Sequence, residues 1–134
     1  MTYKECARRC LIGPIVTIKQ FMEMDLQPSA VNDHDVYMCR VNVELPMPND
    51  TGVWISVALG EDGKYRAGVD VGVSASYTTR SLSRRSPEYD NKLALMLDTI
   101  LVICDGFPEI PGDKLNDAVN EVFDAIYKQL ELDL

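Results

Sequence analysis

Arg80, Arg84 and Arg85 stand close together among the hydroxyl residues Thr78, Thr79, Ser81, Ser83 and Ser86, with no acid between them. Guanidinium groups fork onto phosphate oxygens, and hydroxyls add further donors. Ser86-Pro87-Glu88 follows and reads as an N-cap, a proline in the first helical position and an acid in the first turn. A helix beginning there would turn free N–H groups and its positive dipole end toward an anion. Tyr77 lies just upstream and offers a ring on which a base can stack. The chemistry these residues suggest is capture of a phosphate-bearing small molecule, such as a nucleotide or cyclic-nucleotide signal, without turnover. The competing reading is a solvated loop whose arginines pair with surface acids.

A second group is acidic. Asp113, Asp117, Glu121 and Asp124 recur at helical spacings of three and four and so share one face. Such a face meets a basic protein partner, or simply water. Trp54 falls on the polar phase of a strand pattern, which makes it a candidate partner-facing anchor or a ring packed beneath a helix. The partner-facing set is therefore Trp54, Asp117, Glu121 and Asp124.

Catalytic patterns are thin. His34 is the single histidine, so any Ser–His or Cys–His arrangement must reach it across the fold. Cys6, Cys10, Cys39 and Cys104 lack the tight spacing of a structural zinc site. They read as reduced thiols, mostly on apolar faces, in a chain with no apolar leader. No metal, no cofactor and no enzymatic activity is expected. A formal charge of −8 argues against general nucleic-acid binding and against an anionic membrane surface. A cytoplasmic protein is expected.

These residues need elements to hold them. At 134 residues the chain suits one domain spanning 1–134. Tyr65 to Tyr77 alternates without a break between apolar odd and polar or tiny even positions, the pattern of one long strand with a buried face. Shorter alternations at 37–45 and 53–59 predict two more strands, and Asp62-Gly63 predicts a hairpin turn. Residues 15–26 fit either a strand or a helix, and the early Val and Ile favour a strand. A Thr2-x-x-Glu5 capping box opens a short N-terminal helix. Helices are predicted over 87–105, apolar nearly all round, and over 112–130, with an inward stripe from Leu115 to Leu130.

The sum is an α+β fold: an antiparallel meander of three to four strands packed against two C-terminal helices, with a short N-terminal helix. So long a strand beside so apolar a helix suggests a homodimer. The leading functional expectation is a small acidic binding protein that occupies or neutralises a partner: an inhibitor, an immunity or viral anti-defence protein, or a chaperone-like adaptor. The alternative is the phosphate-ligand module built on Arg80, Arg84, Arg85, Ser86 and Tyr77.

Overall fold

The computed structural model describes residues 2–73 and 76–133. The elements run α1 (Tyr3–Cys10), β1 (Ile15–Val16), α2 (Ile18–Glu23), β2 (Pro28–Ser29), β3 (Val41–Glu44), β4 (Gly52–Gly60), β5 (Tyr65–Val73), β6 (Ser76–Arg80), β7 (Glu88–Tyr89), α3 (Lys92–Gly106) and α4 (Gly112–Asp133). The fold is α+β, with a mostly antiparallel sheet ordered β1-β3-β4-β5-β6. β1 runs parallel to β3, and β2 runs parallel to β4. Among the described residues no helix is long and apolar enough to cross a membrane.

Alternation does its expected work on one face. Val41, Val43, Val53, Ile55, Val57, Ala67, Val69 and Val71 join a single core with Leu95, Met96, Ile100 and Ile103 of α3 and Leu115, Ala118 and Val122 of α4. Each such Val, Leu, Ile or Met side chain contributes on the order of 1.5–3 kcal/mol by leaving water. Helix α4 closes the layer by packing on both α2 and α3.

Three expectations need correction. The stretch 15–26 is a two-residue strand followed by a helix. Thr17 Oγ accepts from Gln20 N at 3.1 Å, and Gln20 Oε1 accepts from Thr17 N at 2.9 Å. This is a second capping box, and it sends Ile18, Phe21 and Met22 into the core at helical spacing. The long strand stops at Val73; residues 74 and 75 lie outside the described residues, and β6 returns antiparallel beside β5. Tyr77 therefore sits opposite Gly72 instead of continuing the same strand.

The helix expected from residue 87 begins later. Asn91 is its N-cap, its side-chain oxygen accepting from Ala94 N at 2.8 Å. Glu88 and Tyr89 instead pair with Arg66 and Tyr65 as β7. At the start of α3, Lys92 donates its ammonium protons to the carbonyls of Phe21 and Met24 at the end of α2. It also lies 5.0 Å from the centroid of the Phe21 ring. A cation is favoured where a helix leaves its last carbonyls unpaired. Burial lowers the pKa of this lysine.

Candidate functional site: a polar cavity on the second face of the sheet

The even positions of the strands do not face water. On β3, β4 and β5 they are roofed by the end of α1, the 11–14 segment, the 30–40 loop and the 80–82 segment, and Asn42, Ser56, Arg66 and Asp70 are all buried. Three polar assemblies divide this face.

At one end stands Trp54, fully buried. Its Nε1–H donates to Glu44 Oε1 at 2.9 Å. Arg8 grips the same carboxylate with two bonds of 2.7 and 2.8 Å. Burial works to raise the Glu44 pKa, but the hydrogen bonds from Arg8 and Trp54 outweigh it and hold the carboxyl below its ordinary value. Trp54 is thus a packed residue and no surface anchor. The indole lies over Gly52, where a Cβ would come within 2.2 Å of the ring.

At the other end Arg66 is anchored by Asp62 at 3.1 and 2.8 Å and by Glu88 at 2.8 Å. The Asp62 carboxyl is drawn down to about 2, chiefly by the Arg66 hydrogen bond.

Between them lies the site. Asn42 pairs with Ser56 across β3 and β4, Ser56 with Gly68 across β4 and β5, and Gly72 with Tyr77 across β5 and β6. The result is a row of polar side chains crossing four strands. Tyr77 donates its phenol to Asp70 Oδ1 at 2.8 Å. Ser56 Oγ lies 3.2 Å from Asn42 Oδ1 and 3.2 Å from Asp70 Oδ2. The Asn42 amide is oriented by its surroundings: its Nδ2 donates to Ile12 O at 2.7 Å, with Gly13 O and Pro14 O just beyond. A flipped amide would face carbonyl oxygens with an oxygen. Ser56 has one hydroxyl proton for two acceptors, so the row holds more acceptors than protons. Burial and the neighbouring Asp70 carboxylate push the Tyr77 phenol up, keeping it a donor.

This row opens into a cavity of about 410 Å³ whose wall includes Arg40 and Arg80. Among the described residues neither arginine makes an ion pair, and the buried Nε–H of Arg40 has no acceptor. A cavity holding two unpaired arginines and one aspartate is locally positive within a chain of formal charge −8. Gly68 shapes one wall, because a Cβ there would lie 2.5 Å from Arg80 O and 2.8 Å from Leu82 N. Only glycine lets the 80–82 segment come this close to β5.

The arginine loop is divided by this arrangement. Arg80 and Tyr77 line the cavity. Arg84 turns away to pair with Asp35 at 3.1 Å. Arg85 is exposed, its amide donating to Ser83 Oγ. Ser86 caps no helix; its hydroxyl accepts from Ser83 N at 2.9 Å and donates to Ser81 O at 3.1 Å, closing a turn. Arg40, Asn42, Ser56 and Asp70 were missed by sequence reasoning. The available signal was Asp70 between Gly68 and Gly72 on a strand, a charge flanked by positions without side chains.

The acidic face of α4 forms a separate surface. Glu121 and Asp124 line a groove of about 1130 Å³ running past β1 and α2, with Ile15, Val16, Ile18 and Tyr127 among its apolar residues. Asp117 lies outside the groove lining and pairs with Lys114 at 3.8 Å. Burial, then repulsion from Asp117 and Asp124, raises the Glu121 pKa. All four cysteines are exposed, against the expectation of core thiols, and His34 is exposed in its loop. Among the described residues no cluster of three or more His, Cys, Asp or Glu side chains could hold a metal ion. No family model, curated protein or solved structure matches this chain.

Proposed function

We propose that this chain is a binding module that captures a small phosphate-bearing molecule in the cavity above β3, β4, β5 and β6, without turning it over. The observation that carries the reading is the pair Arg40 and Arg80, which line the cavity beside a buried polar row and make no ion pair among the described residues. The buried Nε–H of Arg40 lacks an acceptor, as does that of Arg66 at the far end of the sheet, but only Arg40 stands at a cavity that can admit one. A buried donor left unmade costs about 1–3 kcal/mol, so a native site that keeps one calls for a purpose. An anion between the two arginines supplies the missing acceptor. A volume of 410 Å³ falls within the range of small-molecule pockets, about 300–1,000 Å³.

Thermal melting against inorganic phosphate and a panel of nucleotides tests this. A ligand at a hundred times its Kd stabilises the fold by about 2.7 kcal/mol and raises Tm by roughly 8–15 °C. Arg40→Ala with Arg80→Ala abolishes the shift, whereas Arg84→Ala with Arg85→Ala leaves it. A panel with no shift overturns the reading.

A second reading rests on the groove beside α4. Its acidic wall of Glu121 and Asp124 above apolar Ile15 and Val16 suits a basic, partly apolar segment of a partner protein. On this reading Glu121→Lys with Asp124→Lys abolishes capture of that partner and leaves the nucleotide response intact. Capture unchanged by the pair of substitutions removes it.

A further inference from the structure

Resting on the ligand reading above, we infer that Asp70 selects among phosphate compounds. The cavity takes a mononucleotide whose base presents an N–H edge, guanine best of all, in preference to a sugar phosphate. The preference follows from a count of protons. Asp70 is 9% exposed and lines the cavity. Its two carboxylate oxygens offer about four lone-pair sites. Tyr77 fills one. Ser56 fills one more at most, and if it does, Asn42 Oδ1 loses that proton. The row is therefore short of donors on the sheet side, while at the cavity wall the buried Nε–H of Arg40 lacks an acceptor and the exposed Arg80 has no ion pair among the described residues. A bare anion answers the arginines and brings the carboxylate no donor. It also brings negative charge to Asp70, which a low local dielectric makes unfavourable.

A ligand that is an acid at one end and a row of N–H donors at the other answers both deficits together. Guanine carries adjacent N–H groups that meet the two oxygens of one carboxylate. The size of the cavity limits such a ligand to one nucleotide. Tyr77, fixed through its hydroxyl to Asp70, keeps its ring beside Gly72 at the cavity wall, where a base can lie against it.

Isothermal titration of the full chain with guanosine monophosphate, ribose 5-phosphate and guanosine separates the two halves of the claim. Hydrogen bonds to a buried carboxylate predict that the nucleotide binds at least about tenfold tighter than ribose 5-phosphate. The arginines predict a similar advantage over guanosine. Asp70→Asn keeps an acceptor for Tyr77 and brings the nucleotide and the sugar phosphate within about twofold of each other, leaving ribose 5-phosphate affinity equal or improved. If ribose 5-phosphate matches the nucleotide on the natural chain, selection by Asp70 is overturned while phosphate capture stands. Silence with all three probes overturns both. The comparison on the natural chain decides the matter even if the Asp70 variant fails to fold.

Discussion

Replacing Ser56 by alanine removes a single oxygen from the middle of the buried row. The side chain is 4% exposed and lies 3.2 Å from each of two acceptors. Counting contacts would suggest two hydrogen bonds lost. Counting protons gives one, because a hydroxyl donates once. A bond to a charged acceptor contributes about 1.5–3 kcal/mol net and a neutral one about 0.5–1.5. Alanine leaves almost the same volume, so the cavity contribution is small. The expected loss is about 2 kcal/mol, with the upper limit set by drying one further acceptor. Trp54, the only tryptophan and fully buried, reports unfolding by fluorescence. With a urea slope of about 2 kcal/mol/M the midpoint falls by roughly 1 M. A change below about 0.5 kcal/mol, the range of an ordinary surface substitution, would refute the claim that this row is buried and short of protons. A loss above about 4 kcal/mol would refute the single-proton count.

Gly68→Ala places a methyl 2.5 Å from the Arg80 carbonyl oxygen, so the 80–82 segment must move; a loss of about 1–3 kcal/mol with weakened phosphate binding is expected by thermal melting. Glu44→Gln tests the clamp on Trp54. Because the folded carboxyl is held below its ordinary value, near 4.5, its contribution is full above that pH and disappears as pH falls through the folded value. The variant should lose about 1 kcal/mol at neutral pH, and the loss should shrink as pH falls below about 4.5 through the folded value; a loss independent of pH would assign the effect to packing instead of charge.

Much of the fold was legible because its signals are local. Strict alternation marked β4 and β5, and the wide spacing of Leu115, Ala118 and Val122 marked α4. The helix at 18–23 was hidden because Val16, Ile18 and Met22 also fit a period of two, though the Thr17-x-x-Gln20 box was there to be read. At Ser86-Pro87 a good N-cap pattern lost to β7, whose pairing with β5 takes Glu88 to Arg66. The site was harder to see for a general reason. Alternation tells which strand positions differ, but it cannot distinguish a face open to water from one roofed by loops. Asn42, Ser56 and Asp70 look like solvent-facing residues until α1 and the 80–82 segment cover them. Arg80 and Tyr77 were singled out by composition, whereas Arg40 sits alone in its stretch of sequence and is recruited only by the fold.

The ammonium of Lys92 spends its protons on the last carbonyls of α2 and is partly sheltered there. An amine so engaged makes a poor nucleophile toward acylating reagents, while the exposed Lys19 and Lys128 remain open to them. Slow modification at that one amine, followed by mass spectrometry, would therefore act as a clock for the breathing of the seam between two helices, timed without disturbing either.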